Sequence, residues 1–352
     1  MAEDSGNAII NLIAVIVAVT DDEPRVLIVD QNLGPADATG AALPAADQHA
    51  LPNGPFEPEH HAGLESGLRR WVKAQTGLDL SYVEQLYTFG NRNRDPGEIE
   101  GGPRVVSVAY IALTHEDSVG SGTAQWRDWY GFLPWEDWRS GRPAVIDQRI
   151  VPSLTRWARQ ARSQNSRAQR QERTNVTFGS GAPSAMDSVL TLERFELLYE
   201  AGLVLEARRD ECAASRKSNS LPDTETNLTF GDMGTNLASD HRRILATALG
   251  RLRGKLAYRP VVFELLPGEF TLLQLQRVVE ALSGAELHKQ NFRRLVTNAD
   301  LVEPIGRTST GRRGRPAELF RFRREVLGEK LTVGVSRPVM RSNDAQRAHS
   351  IR

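Results

Sequence analysis

The chain has one cysteine, Cys212, among its 352 residues. No intramolecular disulfide can therefore form, and a cage of thiolates around a metal is excluded. Net charge is missing too, since 44 Lys and Arg balance 44 Asp and Glu; the total names no partner. Nor is there a long apolar run. The most apolar stretch, Asn7–Thr20 (NAIINLIAVIVAVT), follows acidic residues and carries Asn11 inside it. A secretory leader has cations at that point, and a membrane helix takes about 20 apolar residues. The Ile and Val content predicts a buried strand instead, and the chain reads as cytoplasmic, with no membrane partner.

What is present is unevenly placed. From Arg251 to Lys330 there are 16 Lys and Arg against 9 Asp and Glu, whereas Met1–Gly250 is acidic by about ten charges. A basic C-terminal part is a pointer to a polyanion. The length suits two domains with room for an extra helical layer.

In the first part, residues 1–155, Ala8–Val19 and Arg25–Asp30 read as strands joined by a turn at Asp21-Asp22-Glu23-Pro24. Residues 34–55 read as a loop with a short strand near Leu51. Leu64–Gly77 (LESGLRRWVKAQTG) predicts a helix, with Leu64, Leu68, Trp71 and Val72 on one stripe and Gly77 as its stop. Leu80–Phe89 and Val105–Leu113 follow as strands, and Val151–Arg162 as a helix.

This order resembles a Nudix domain, whose active motif is G-x5-E-x7-R-E-U-x-E-E-x-G-U. With Thr76-Gly77-Leu78 on the motif's end, Arg70 takes its Arg and Val72 its apolar position. Trp71, Ala74 and Gln75 fall on the three helical glutamates, and Phe56 and Ala62 on the upstream Gly and Glu. Mg²⁺ needs oxygen ligands that Trp, Ala and Gln do not supply as charge. The resemblance thus implies a kept fold without hydrolysis, no metal site and no cofactor. Glu57 and Glu65 are the nearby carboxylates that could substitute, or simply sit on a solvated face. The stretch LYTFGNRNRDP…PRVVSVAY resembles the F-G-x-x-x-R-D-P-R-G-x-x-V-S-V-A-Y of Nudix domains acting on ADP-ribose-like compounds, with Gly97 in place of the second Arg. It makes Arg94 a candidate fork for a diphosphate, or the partner of Asp95 on a turn. Arg70, Arg94 and Arg104 are the ligand-binding candidates.

Residues 156–257 read as a helical linker or dimerisation region. Gln160–Thr174 and Arg208–Pro222 are polar and read as linkers or exposed helix ends. Asp187–Ala207 predicts a helix ending near Ala201-Gly202, and His241–Leu256 a second one with Ile244, Leu245, Leu249 and Leu252 inward. Its cations Arg242, Arg243, Arg251, Arg253 and Lys255 then form a face for phosphates or for solvent.

Residues 258–328 have the order of a winged helix. Thr271 is a natural N-cap for Leu272–Leu282, and Ser283-Gly284 ends that helix. In His288–Val296, Phe292, Leu295 and Val296 face inward and Lys289, Gln290, Arg293 and Arg294 outward, the division a recognition helix needs. Arg307, Arg312, Arg313 and Arg315 cluster around Gly311, Gly314 and Pro316 before the strand Leu319–Phe322, as in a wing. FELLPGEFTLLQLQ, NFRR and GRPAELFRF resemble the winged helix of Nudix-related transcriptional regulators, the family typified by repressors of NAD metabolism. Residues 329–352 read as a disordered tail.

The expected fold class is α+β: an N-terminal Nudix-like α/β/α sandwich, a helical linker and a C-terminal winged helix-turn-helix. The resemblance implies a homodimeric repressor on a palindromic operator in double-stranded DNA, sensing a nucleotide-like effector. DNA contacts are expected from Lys289, Gln290, Arg293, Arg294, Arg312, Arg313 and Arg315. The rivals are an active Nudix hydrolase with atypical metal ligands and a catalytically inert scaffold for protein.

Overall fold

A computed structural model describes residues 8–30, 49–92, 94–99, 101–116, 124–179, 188–218, 233–256, 261–309 and 316–323. The tail at 329–352, most of the 34–55 loop and the wing arginines Arg312, Arg313 and Arg315 lie outside these residues.

The most apolar stretch forms β1 (Ile9–Thr20), which turns back into β2 (Glu23–Asp30). Asp21 and Asp22 both take positive φ, 51° and 66°. That is the two-residue hairpin turn whose twist matches the flanking strands. Strand β1 is central. It pairs with β2 and with β4 (Asn53–Pro55) antiparallel, and with β6 (Val105–Leu113) parallel. The seven-stranded sheet runs β3 (His49–Ala50), β2, β1, β6, β5 (Tyr82–Phe89), with β4 also on β1 and β7 (Ala124–Asp128) also on β2. Residues 12–18 of β1 are all buried, because both faces are covered. Leu12, Ala14 and Ile16 pack with Leu68 and Val72 of α1 (Leu64–Thr76). Ile13, Val15 and Val17 belong to a second core on the opposite face.

That second core continues through the described residues that follow. It takes in Trp129 and Trp135, Leu154 of α3 (Val151–Arg159), Phe178 of α4 (Gln164–Phe178) and Phe195 of α5 (Ser188–Glu200). It continues through Leu245 and Leu249 of α7 (His241–Leu256) to Leu282 and Phe292 of the C-terminal unit. A short helix α2 (Pro96–Ile99) follows Asp95, and α6 (Leu205–Ser218) precedes α7.

Of the two readings for the polar stretches, linker or exposed helix end, the structure gives helix. Gln160–Thr174 falls largely in α4, whose Ser163 N-cap accepts from the Ser166 N–H at 3.1 Å. Arg208–Ser218 falls in α6. Gln, Arg, Ala and Glu favour helix intrinsically, but α4 buries only Thr174, Thr177 and Phe178, so no apolar stripe marked it. The cationic face of α7 is corrected. Arg242, Arg253 and Lys255 are buried, and pair with Glu206, Glu136 and Glu84.

The C-terminal unit has a 3-10 turn at Val261–Leu265, α8 (Leu272–Ser283), α9 (Lys289–Asn298), β8 (Val302–Thr308) and β9 (Glu318–Phe322). Thr271 and Gln274 cap α8 reciprocally, the capping box. At its other end Gly284 takes φ 68°, and a Cβ there would come within 2.5 Å of the Glu136 carbonyl oxygen. This closeness reflects a dense join. The Trp138 N–H donates to Gly284 O at 2.8 Å, and the buried Tyr130 hydroxyl donates to Ala281 O at 2.7 Å. Burial pushes the Tyr130 phenol up to about 12, so it stays a neutral donor.

One carboxylate anchors the join. Glu136 is wholly buried between Arg194 of α5, at 3.1 Å, and Arg253 of α7. Arg253 also donates to Glu136 O at 2.9 Å and to Leu282 O at the C-terminal end of α8, where a cation opposes the helix dipole. Glu136→Gln would leave two buried guanidiniums short of a counter-charge. The expected loss is about 3–5 kcal/mol in urea unfolding, larger than for replacing the exposed Glu65.

The N-terminal end of α7 gives a pH dependence. His241 is buried and its Nδ1 accepts the Leu51 N–H at 3.1 Å, which requires the neutral ring. Burial lowers its pKa to about 4, with Arg94 and Arg209 adding to the shift and Asp240 opposing it. Because the folded value lies below the unfolded one, this stabilisation is complete above about pH 6.5 and is lost as pH falls toward 4. The full loss is about 3 kcal/mol. Urea midpoints measured across that window should fall for the native chain, and fall less for His241→Asn.

Candidate functional site

Helix α9 presents two sharply different sides. His288 caps it, accepting the Asn291 N–H at 3.4 Å, and Phe292 and Val296 are fully buried against the core. Leu295 is half-buried. Lys289, Gln290, Arg293 and Arg294 are all exposed. Lys289 and Arg293 lie one turn apart, so their side chains share a face. Arg294 donates to Asn291 Oδ1 at 3.1 Å. These are long donors on a docked helix, able to reach base edges and phosphates.

The hairpin after α9 is tied back to α8. The Phe320 N–H donates to Phe270 O at 2.8 Å and the Phe270 N–H returns a bond at 3.0 Å. Phe322 stacks on Phe263 with ring centroids 4.2 Å apart. Arg307 pairs with Glu269, Arg321 with Glu303 and Arg323 with Asp300, so the cations at the base of the hairpin have carboxylate partners within this unit. A cleft of about 540 Å³ separates Phe263 and Phe322 from Ser81, Thr114 and His115 at the end of the sheet.

On α1, the positions that resemble the metal-binding face do other work. The Gln75 side chain pairs with the Asn53 backbone like an extra strand residue: its amide donates to Asn53 O at 2.7 Å and its oxygen accepts the Asn53 N–H at 3.1 Å. A glutamate could make the second bond but not the first. The Trp71 ring lies on Gly54, where a Cβ would overlap it, and its indole N–H donates to Pro55 O at 2.8 Å. Ala74 is exposed. Glu65 is in an ion pair with Arg69 at 2.8 Å. Among the described residues, no group of three His, Cys, Asp or Glu could hold a metal ion.

The three arginines expected to bind ligand sit in different surroundings. Arg70 is exposed on α1 and reaches His60 O at 3.4 Å. Arg104 is exposed and donates to Gly90 O at 2.5 Å. Arg94 is buried. It grips Asp240 with two bonds of 2.8 and 2.5 Å, donates to Phe89 O at 2.8 Å, and stacks over the Phe89 ring. The alternative pairing with Asp95 is thereby corrected: Asp95 accepts the Gly97 N–H and closes a local turn. The niche around Arg94, floored by Asn11 and Ser107 and roofed by Asp240 and His241, has only about 10 Å³ of free space, enough for about one water. A diphosphate reaches Arg94 only by displacing Asp240. No sequence signal identified Asp240, which lies 146 residues away.

Residues 262–322 match the family model of the NrtR DNA-binding winged helix domain. The chain is similar to the ADPR responsive transcriptional repressor NtrR of Acinetobacter baylyi, 37% identical over 87 residues. That match takes in 25% of this chain and 34% of the relative, so the chain spans about a third of the length of the curated relative it matches. Among solved structures it is similar to Shewanella oneidensis NrtR complexed with a 27mer DNA, at 21% identity and a TM-score of 0.51, covering 91% of this chain and 95% of that one. A MutT/nudix family protein from Enterococcus faecalis matches at 16% identity and a TM-score of 0.50, over 92% and 89% of the two chains. The chain therefore combines a Nudix fold with a winged helix of the NrtR type.

Proposed function

We propose that the chain is a DNA-binding transcriptional repressor whose Nudix-like part senses an ADP-ribose-like nucleotide diphosphate and has no hydrolytic role. The observation that carries this reading is α9, with Phe292 and Val296 docked and Lys289, Gln290, Arg293 and Arg294 exposed, inside a segment that matches a DNA-binding family. The similar repressor from Acinetobacter is described as responsive to ADPR, which supports the effector class. In this reading residues 1–155 sense, 156–257 couple and dimerise, and 258–328 bind. The active species is a cytoplasmic homodimer on a palindromic operator, because a two-fold protein reads two half-sites. The wing residues Arg312, Arg313 and Arg315 add phosphate contacts. Among the described residues, no helix is long and apolar enough to cross a membrane.

The Arg94–Asp240 pair supplies a route from ligand to DNA. Arg70 and Arg104 are exposed to receive a diphosphate, and Arg94 is the fork that exchanges Asp240 for phosphate oxygens. Asp240 stands one residue before α7, and Arg253 of α7 holds the C-terminal end of α8. A ligand that loosens Asp240 therefore acts on the element that seats the reading helix. It releases DNA only to the extent that it binds the DNA-free arrangement more tightly.

In mobility shifts with DNA from the protein's own gene neighbourhood, Arg293→Ala or Arg294→Ala should weaken specific binding by about 1–3 kcal/mol, roughly 5-fold to 150-fold. Arg313→Ala or Arg315→Ala should instead weaken binding to all sequences and reduce the salt slope by about one. Unchanged binding in all four variants would place the interface elsewhere.

ADP-ribose titrated against the complex should release DNA from the native chain and release less from Arg94→Gln. Hydrolysis of ADP-ribose with Mg²⁺ at ordinary enzymatic rates, with no shift of any neighbouring DNA, would overturn the repressor reading.

A further inference from the structure

The helices α3 and α4 lie in the most one-sidedly charged part of the chain's helical layer. Between Arg149 and Arg173 there are seven arginines and one glutamate. Among the described residues most other arginines are paired with carboxylates, as Arg69 with Glu65, Arg94 with Asp240, Arg139 with Asp137, Arg243 with Glu196, and the Glu136 pair. On this helical pair Arg173 meets Glu200 at 2.5 Å. Arg156, Arg159 and Arg162 are exposed, and among the described residues none has a carboxylate partner. The exposed Arg167 donates to the Arg159 carbonyl oxygen, at 3.3 Å. Arg170 holds the two helices together, its guanidinium 4.1 Å over the Trp157 ring and its Nη1 3.0 Å from Trp157 O.

A row of guanidiniums without counter-charge raises the energy of the folded state through self-repulsion. A polyanion relieves it. A lipid surface fits poorly, since an interfacial helix interleaves bulky apolar residues with its cations. The one large apolar side chain exposed among the described residues of this pair is Val176, near the C-terminal end of α4.

The position of the pair matters as much as its charge. Arg142 packs over the Trp138 ring, at 5.5 Å to its centroid, and donates to Phe178 O and Gly179 O at the C-terminal end of α4. The Trp138 N–H in turn donates to Gly284 O in the turn between α8 and α9. Only Ala285 to His288 separate that turn from Lys289 at the start of α9. The arginine-rich pair is thus fastened to the base of the reading helix. With 15 residues, α4 is about 22 Å long, the rise of roughly six base pairs.

We propose that the α3–α4 pair is a second nucleic-acid contact, with Arg156, Arg159, Arg162 and Arg167 on phosphates of the duplex flanking the segment read by α9. This rests on the DNA-binding reading above. The contact carries no sequence information; it adds affinity and fixes how the protein lies along the duplex.

The test uses the full chain and duplexes enriched by the native protein from a randomised library. Each duplex is trimmed to the enriched site or extended by about ten base pairs on either side. The variant replaces all four arginines by Gln, and its folding is checked by its melting temperature, which exposed substitutions leave nearly unchanged. On the extended duplex the variant should bind about 10-fold to 100-fold more weakly at low salt. Its plot of log affinity against log salt should be shallower by about 3.6, near 0.9 for each of the four phosphates that are no longer neutralised. On the trimmed duplex it should match the native chain. Equal salt slopes on the extended duplex overturn this proposal alone, and so does an equal loss on both duplexes, which indicates a general charge effect. If the native chain enriches no duplex, the DNA-binding reading falls and this proposal with it.

Discussion

Glu136 is a single carboxylate that faces two buried guanidiniums, and most of the architecture is arranged around keeping it there. It comes from a short 3-10 turn, Pro134–Glu136, while Arg194 and Arg253 come from α5 and α7. A buried charge left alone costs several kcal/mol, so each partner must be held in place by packing. Arg194 donates its Nε to Thr177 O, and Arg253 donates to Thr191, Leu282 O and Glu136 O. The network therefore connects the sheet-bearing part, two intermediate helices and the C-terminal end of α8. Hydrophobic contact alone is tolerant of small shifts. A hydrogen-bonded ion cluster specifies one seating of the winged helix on the Nudix fold.

The Nudix-like helix α1 carries backbone-pairing side chains where the resemblance places metal-binding glutamates. Gln75 and Trp71 both secure the β4 backbone. The amide of Gln75 is both donor and acceptor, which a carboxylate is not. The same helix keeps its packing role through Leu68 and Val72. The side of α1 with Trp71, Ala74 and Gln75 departs from the motif, while the packing side holds the sheet.

Local features were legible in the amino-acid order. The Asp21-Asp22 turn, the Gly77 and Gly284 helix ends, the Thr271 cap and the division of α9 into docked and exposed sides all follow from short-range backbone preferences and 3.6-residue periodicity. The polar helices α4 and α6 were not legible as such. Helix α4 buries too few apolar groups to leave a stripe, and α6 is mostly charged and small residues. The fate of α7's cations was hidden for a different reason. Arg242, Arg253 and Lys255 read as a solvated or phosphate-facing row, yet each is buried against a glutamate from another segment.

By itself, then, the sequence determined the order of its apolar strands and helices, the resemblance to a Nudix domain joined to a winged helix, and the residues that α9 turns outward. Each depends on neighbours within a few positions along the chain. The tertiary structure decided which charges are already matched. Arg94 is taken by Asp240, Glu136 by Arg194 and Arg253, and Gln75 by the Asn53 backbone. These partners are 22 to 146 residues apart. A charged or amide side chain has the same letter whether it meets water or a buried partner. Only the folded chain brings the partner to it, and so only the fold distinguishes an arginine that holds the protein together from one that remains available to a polyanion.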